Sequence, residues 1–282
     1  MIKQETVYEM RLVSALEKVF LDERPVYRPE CMKLTALKGE TVSFQAACTC
    51  TSFMKNRVKV RIESPISDRI HVRKVENVPA GRVCGPIVDD NYLKTESGLY
   101  PDLLRELVDG EVDIFPQKWR SIWIDIEVTE DVKAGLYPVT VILEKDGETL
   151  ARAATEVTIY DAVLPKQKMM HTEWFYLDCL ADYYHVPVFS EEHWEIITNY
   201  LKEYVKRGCN MILTPLFTPA LDTAVGIERT TTQLLDVRVE NGNYSFGFDR
   251  VKKWIDLCQS CGIEYFEICH LFSQDRKSTR LN

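Results

Sequence analysis

The sequence contains no apolar run of about 18 residues, the minimum for a membrane-spanning helix. Charged residues recur through its first twenty positions, so it also lacks the apolar core of a secretory signal. Basic residues are the minority, 35 against 43 acidic ones, and the net charge is −8. Attraction to nucleic acid or to an anionic membrane is therefore not expected. Together these absences predict a cytoplasmic protein that binds neither, and they leave the oligomeric state open.

The sequence also lacks the motifs of several chemistries. Its nine cysteines are odd in number and scattered, which argues against a disulfide framework. No glycine-rich phosphate loop and no nucleophile elbow occurs. Cys258 and Cys261 have a C-x-x-C spacing close to Cys269 and His270, but no second such pair exists. Zinc sites usually show paired spacing, so we expect no metal and no cofactor.

What is present divides into two parts, and residues 1–165 read as strands. The segment SIWIDIEV, Ser121–Val128, alternates apolar residues with Trp123, Asp125 and Glu127, which is typical of a strand with one buried face. Turns at Lys133–Gly135 and Lys145–Gly147 separate further strand patterns. This spacing predicts an antiparallel β-sandwich over 1–165. A sandwich alone is a scaffold or a binding module as often as it is part of an active site.

A loop-rich stretch, Val78–Gln117, interrupts the strand patterns and contains SGLYPDLLREL. Pro101 favours an extended bend, because proline restricts the residue before it. The sequence leaves open whether this stretch is a surface loop or packs against a second domain.

From residue 166 the pattern changes to strands that alternate with helices. Ser190 is a good helix N-cap and Gly208 a good C-terminal stop, and the strand Cys209–Thr214 follows at once. A second helix ends at Gly262, before the strand Ile263–His270. Residues 166–274 thus predict about three strands and two helices, the first part of a truncated (β/α)8 barrel of the TIM type. A doubly wound sheet would show the same alternation. The predicted fold class is multidomain, β plus α/β.

In such a barrel the loops that follow the strands bind the substrate. The first strand carries His171, Glu173 and Trp174 at its end. A carboxylate that accepts hydrogen bonds from hydroxyls, beside an indole that stacks on a ring face, suits a sugar. Alternatively, Trp174 and Phe175 belong to the core and Glu173 is paired structurally.

The loop after the second strand holds Asp222, Glu228 and Arg229, and the third strand ends at His270. Asp222 and Glu228 fit a pair of glycosidase carboxylates, or they fit salt-bridge partners of Arg229. We predict substrate contacts at His171, Glu173, Trp174, Asp222, Arg229 and His270. His193, alone on its helix, is predicted to be a surface residue.

Several motifs resemble those of glycoside hydrolase family 123 and its bacterial relatives. In the first half they are Lys38-Gly39-Glu40 followed by SFQ, GLYPDLL, and W-x-D before GLYPVTV. In the second half they are HTEWFYLDCLADYYHVPVFSEEHW, NMILTPLFTPALDT, GIERTTTQL and YFEICHLFSQ. The resemblance extends almost to Gln274. It implies a sandwich joined to a (β/α)8 barrel that hydrolyses N-acetylgalactosaminides, with the substrate's acetamido oxygen as nucleophile, oriented by an Asp, and an adjacent Glu as general acid/base.

The Asp-Glu dipeptide of that mechanism does not occur in residues 166–274. We therefore assign no catalytic residue, expect the pair downstream of Gln274, and expect this fragment to be inactive and poorly soluble. The last eight residues, DRKSTRLN, fit no element, and suitable codons for them match a common sequencing adapter; we interpret 275–282 as an artefact. A non-catalytic carbohydrate-binding protein or a structural module is the alternative function. An Asp-Glu pair in the complete gene would distinguish the enzyme from these.

Overall fold

The computed structural model describes residues 6–26, 28, 32–81, 91–217 and 229–269 of the chain. The chain divides into two compact units, Met1–Pro165 and Lys166–Asn282. In the described ranges it is rich in β-structure, with fifteen strands and three α-helices. None of the described helices is long and apolar enough to cross a membrane.

The first unit consists of two five-stranded sheets. Its described strands are β1 (Tyr8–Ser14), β2 (Lys33–Lys38), β3 (Thr41–Cys50), β4 (Asn56–Glu63), β5 (Ile70–Ala80), β6 (Gly98–Glu106), β7 (Glu111–Ile114), β8 (Arg120–Glu127), β9 (Gly135–Lys145) and β10 (Glu148–Val163). One sheet has the order β1-β3-β8-β5-β6 and the other the order β2-β10-β9-β4-β7.

The two sheets enclose one hydrophobic core, as in a β-sandwich. Ile122, Ile124 and Ile126 of β8 are fully buried and share a cluster with Leu143 of β9 and Ile159 of β10, which lie in the other sheet. Burying one such side chain contributes about 1.5–3 kcal/mol. The alternation predicted for β8 is confirmed, because its isoleucines face this core.

One strand pair departs from the antiparallel pattern that the sequence predicts. β2 pairs with β10 in parallel, with Lys33 opposite Glu156 and Leu34 opposite Val157, whereas the other described pairs in this unit are antiparallel. The alternation of apolar residues fixes which face of a strand is buried but not the direction of its neighbour.

The described part of the loop-rich stretch expected over Val78–Gln117 contains the end of β5 and the whole of β6 and β7, and the expectation is wrong for these strands. β6 lies at the edge of its sheet. Proline has no amide hydrogen to donate, and it is tolerated in an edge strand because one side of that strand has no neighbouring strand to bond. The register of β6 against β5 shifts between Glu76, opposite Leu103, and Asn77, opposite Pro101. The proline therefore lies at a bulge.

The second unit contains a three-stranded parallel sheet, three helices and a hairpin. The sheet has β12 (Met211–Thr214) between β11 (Thr172–Glu173) and β15 (Tyr265–Ile268). The helices are α1 (Leu177–Tyr184), α2 (Glu191–Lys206) and α3 (Asp249–Cys261), and the hairpin pairs β13 (Asp236–Glu240) with β14 (Asn243–Gly247). The parallel strands and the α2 and α3 helices are as predicted. Helix α1 and the hairpin occupy segments for which the sequence predicts loops.

The ends of the predicted helices follow from local chemistry. At the start of α2 the Ser190 hydroxyl oxygen accepts a hydrogen bond from the His193 backbone N–H at 3.2 Å. Helix α3 ends at Gly262, whose φ of +105° is left-handed and favours glycine. Both signals are confirmed. The helices then bury Ile197, Leu201 and Trp254 in one cluster with Ile212 of β12.

His193 is fully buried, so its prediction as a surface residue is wrong. Its Nδ1 accepts a hydrogen bond from the Phe189 backbone N–H at 3.0 Å. Because Nδ1 is an acceptor, Nε2 carries the proton and donates to the Leu177 carbonyl at 3.0 Å. Burial lowers the pKa of His193, against the opposing effect of the hydrogen bond to Leu177. The ring thus ties the start of α2 to the start of α1.

Candidate functional site

The candidate site lies at the carboxyl edge of the parallel sheet, where its three strands end. Glu173 ends β11 and pairs with Ile212, and Thr214 ends β12 opposite Ile268 of β15. Parallel strands present their carboxyl ends at one edge, and the loops after them usually carry the chemistry of α/β proteins. The segments after Glu173, Thr214 and Ile268 are therefore the ones that position functional side chains.

The side chains of two consecutive aromatic residues after β11 lie in different environments. Phe175 packs against the core, with ring centroids 5.8 Å from Tyr204 and 6.4 Å from Trp254. Trp174 is 50% exposed and meets Tyr176 edge to face at 6.3 Å. The sequence left open whether Trp174 and Phe175 bind a ligand or belong to the core. Phe175 belongs to the core, and Trp174 does not. The half-exposed indole is accessible to a ligand.

Glu173 presents an exposed carboxylate on a fixed backbone. Its side chain is 71% exposed, and Oε1 lies 3.4 Å from Nε2 of His171. Its backbone N–H donates to the Tyr204 hydroxyl at 2.7 Å, and that hydroxyl lies 2.6 Å from the carbonyl of Met211 and 2.9 Å from that of Glu173. Burial raises the pKa of Tyr204, so the hydroxyl stays protonated and bridges α2 to β11 and β12.

His171 is held at the amino end of β11. Its backbone N–H donates to Oδ1 of Asn210 at 2.8 Å, and Sγ of Cys209 lies 3.8 Å from its Nδ1. Burial raises the pKa of the Cys209 thiol, so at neutral pH the sulfur next to the imidazole is a thiol and not a nucleophilic thiolate.

Arg229 is engaged by groups of the protein itself. Its Nη2 donates to Oδ1 of Asp178 at 3.0 Å and its Nε donates to Oδ2 of the same carboxylate. Its guanidinium also lies 4.4 Å from the ring centre of Tyr176. The hydrogen bond to Asp178 raises the pKa of Arg229. The carboxylate is almost entirely buried, so this pair fastens the chain at Arg229 onto α1.

The structure therefore unites some of the predicted site residues and separates others. Glu173 lies next to His171, and Trp174 is linked to Arg229 through the ring of Tyr176. Asp178 is the Arg229 partner that the sequence did not identify, since 51 residues separate the two. Asp222, Glu228 and His270 lie outside the described residues, and their roles stay predictions.

Glu267 is a further polar residue at this sheet that the predicted substrate contacts omit. Phe266, the residue before it, packs against the helices, so the alternation of β15 places Glu267 on the opposite face. Thr172 Oγ1 lies 3.5 Å from its Oε2. A carboxylate on the face away from the helices is the position that lines the interior of a barrel. The signal in the sequence was the charged residue inside the apolar run YFEICHLF.

The cysteines near α3 take ordinary structural positions. Cys258 is fully buried, and burial raises the pKa of its thiol. The sulfur of Cys269 accepts from the Phe217 backbone N–H at 3.3 Å and donates to its carbonyl at 3.2 Å. Within the described ranges no three His, Cys, Asp or Glu side chains are grouped so that they could hold a metal ion.

Two family models match the chain. The glycoside hydrolase 123 N-terminal domain matches residues 20–145, and the glycoside hydrolase 123 catalytic domain matches residues 174–279. No curated protein matches the sequence significantly.

Among solved structures, a family 123 glycoside hydrolase from Clostridium perfringens is similar in fold, with a TM-score of 0.68 at 17% sequence identity. The match covers 92% of this chain and 46% of that one, so the chain spans about half the length of the solved structure. A β-glucosidase from Listeria innocua has a TM-score of 0.27 at 10% identity over 56% of this chain and 17% of its own. That score is too low to support an argument.

Proposed function

Because this chain is a glycoside hydrolase family 123-like protein, we propose that it supplies substrate-binding loops to a glycosidase that acts on N-acetylhexosamine-type glycosides. The observation that carries the proposal is the half-exposed indole of Trp174 directly after the exposed carboxylate of Glu173, at the end of β11. The N-acetylhexosamine preference follows from the family resemblance and is part of the proposal.

The geometry suits the binding of one sugar ring. A pyranose has an apolar face of C–H groups and an equatorial rim of hydroxyls, so an indole face and a nearby carboxylate satisfy both. In the proposed complex the ring stacks on Trp174, and Glu173 and His171 hydrogen-bond to hydroxyls. Tyr204 holds the Glu173 backbone by hydrogen bonds. The strand that carries the carboxylate is therefore already ordered before a sugar binds.

Arg229 takes a positioning role in this proposal. Its guanidinium is occupied by Asp178 on one edge and covered by Tyr176 on one face. Tyr176 in turn contacts Trp174. The ion pair therefore fixes the ring against which the indole packs. This refines the predicted role of Arg229, which acts on the substrate through Tyr176 and Trp174.

We further propose that the three-stranded parallel sheet with α2 and α3 is the first part of a (β/α)8 barrel, residues 166–274, that follows a sandwich domain of residues 1–165. Such barrels need roughly 250 residues. Three observations support the proposal: the parallel order β11-β12-β15, the helices between the strands, and Glu267 on the face away from the helices.

The bond-breaking groups are proposed to lie outside this chain. In the mechanism that the family resemblance implies, the acetamido oxygen of the substrate attacks the anomeric carbon while a glutamic acid protonates the departing oxygen. An adjacent aspartate orients the acetamido group. Residues 166–274 contain no Asp-Glu dipeptide. The 282-residue chain alone is accordingly expected to bind sugar and not to turn over a glycoside.

The test is binding of N-acetylgalactosamine to the 282-residue chain, followed by isothermal titration calorimetry. Trp174→Ala is expected to weaken binding about tenfold, the equivalent of one lost stacking contact. The matched control is Tyr183→Ala, since Tyr183 is an even more exposed aromatic residue of the same unit, at 76%. Equal affinities of the Trp174 variant and the wild type would contradict the proposed site. Turnover of an aryl N-acetylgalactosaminide by the pure chain would contradict the proposed absence of its catalytic groups.

A further inference from the structure

The first unit has a pocket whose described lining residues all belong to that unit. It lies beside the end of β5 and the start of β6, and its volume is about 590 Å³, within the range of roughly 300–1,000 Å³ that ligand sites occupy. Its lining includes the three aromatic residues Phe20, Tyr92 and Tyr100. Nothing in the proposed function uses this pocket.

Two of the three rings are fixed before any ligand arrives. Phe20 and Tyr100 meet edge to face, with centroids 6.1 Å apart and planes at 86°. The Tyr100 hydroxyl donates to the Glu96 carbonyl at 2.5 Å. The ring of Tyr100 also lies close over Gly98, where an added Cβ would be 3.4 Å from three of its atoms. Tyr92, by contrast, is 43% exposed and presents the open aromatic surface of the pocket.

The charges around these rings give no excess of cations. The lining contains two cations, Lys18 and Lys94, and two carboxylates, Glu96 and Asp102. Lys94 lies over the Phe20 ring at 5.0 Å and is paired with Glu23. Lys18 and Asp102 are both exposed, and neither side chain is hydrogen-bonded or ion-paired to another described residue. One donor and one acceptor therefore face the pocket alongside the aromatic rings.

We propose that this pocket binds a neutral saccharide unit. Aromatic surface fits the C–H face of a sugar ring, and an ammonium donor with a carboxylate acceptor fits its hydroxyls. Because Lys94 is already paired with Glu23, the other charged lining residues are Lys18 against Glu96 and Asp102, and they do not favour a sulfated or sialylated sugar. The site takes the same class of ligand as the proposed function, but it needs no residue of the second unit.

The experiment is saturation-transfer NMR on the 282-residue chain with N-acetylgalactosamine, galactose and glucose, together with a sialylated and a sulfated sugar of similar size. The test variants are Tyr92→Ala, which removes the open ring, and Asp102→Asn, which keeps the shape and removes the charged acceptor. The matched control is Tyr160→Ala, because Tyr160 is a tyrosine of the first unit with 53% exposure and does not line the pocket. Trp174→Ala removes the proposed site of the second unit.

In the Trp174→Ala background at least one neutral sugar is expected to bind, and addition of Tyr92→Ala is expected to weaken it about tenfold. Asp102→Asn is expected to weaken it about threefold, and Tyr160→Ala not at all. The inference is overturned if no neutral sugar binds in that background while the chain keeps its folded spectrum. It is also overturned if the charged sugars bind more tightly than the neutral ones, or if Tyr92→Ala and Tyr160→Ala weaken sugar binding equally. If only Trp174→Ala abolishes sugar binding and Tyr92→Ala has no effect, the proposed function is supported and this inference is overturned.

Discussion

The hydroxyl of Tyr204 is expected to account for about 2 kcal/mol of the stability of the second unit. It accepts from the Glu173 N–H at 2.7 Å and lies 2.6 Å from the Met211 carbonyl. Tyr204→Phe keeps the ring and its contact with Phe175 but leaves a donor and an acceptor without their partner. A net hydrogen bond contributes about 0.5–1.5 kcal/mol, and an unsatisfied buried group costs about 1–3 kcal/mol. The bond to Met211 is part-buried and the bond from Glu173 is exposed, so the two together give about 2 kcal/mol.

Hydrogen exchange is the suitable measurement, because the two units need not unfold together and a single midpoint would mix them. The Glu173 amide donates directly to the lost hydroxyl, so its protection factor should fall most. A loss of about 2 kcal/mol corresponds to about a 30-fold drop in protection. With an m-value of about 2 kcal/mol per molar urea, the unfolding midpoint of the second unit should fall by about 1 M.

Tyr200→Phe is the matched control, since among the described residues the Tyr200 hydroxyl is hydrogen-bonded only to the Tyr184 hydroxyl, at 3.1 Å, in an exposed position. Its effect should stay within about 0.5 kcal/mol. If Tyr204→Phe is equally mild and the Glu173 amide keeps its protection, the hydroxyl does not bridge α2 to the sheet. The account of a fixed Glu173 carboxylate would then be wrong.

Two further predictions concern buried groups of the second unit. Burial lowers the pKa of His193 below its usual 6.5. The contribution of the neutral imidazole to the free energy of unfolding should therefore be fully present above about pH 6.5 and decrease as the pH falls below it. The reason is that the unfolded chain then takes up a proton that the folded chain excludes. Urea midpoints from pH 7.5 to 5 should show this fall for the wild type and for His185→Gln, an exposed control, but not for His193→Gln; a fall that persists in His193→Gln would assign it to another group. Asp178→Asn should cost about 3 kcal/mol, because it leaves the Arg229 charge without its buried counter-ion, whereas Asp182→Asn at an exposed position should cost less than about 1 kcal/mol. Similar urea midpoints for these two variants would show that the ion pair does not fasten the loop.

Features encoded in short stretches were predictable from the sequence. The isoleucines of β8 alternate with period two, and Ser190 and Gly262 mark helix ends through their own side-chain or backbone chemistry. Helix α1 is different: it has eight residues, and its N-cap, Tyr176, makes no side-chain capping bond. Its stability comes from packing of Leu177 and Leu180 into the core, which no local pattern reveals.

Features that depend on distant partners escaped prediction. The parallel pairing of β2 with β10 and the Asp178–Arg229 pair each join segments far apart in sequence. His193 looked like a surface residue because a lone polar residue gives no sign of two backbone partners at Phe189 and Leu177. The position of Glu173 and Trp174 at a strand end could be read from the sequence, and their contact with a substrate stays a prediction. The engagement of Arg229 could not be read from it.

The adjacent residues Trp174 and Phe175 also determine how a ligand would come and go. Phe175 is wedged between Tyr204 and Trp254, so the backbone that carries the indole is immobilised by its neighbour. In the proposed complex a sugar would meet a surface that is already in place, and we expect its association rate to be set by diffusion and orientation rather than by loop closure. Substitutions at Trp174 should consequently change how long a sugar stays bound, with little effect on how fast it arrives.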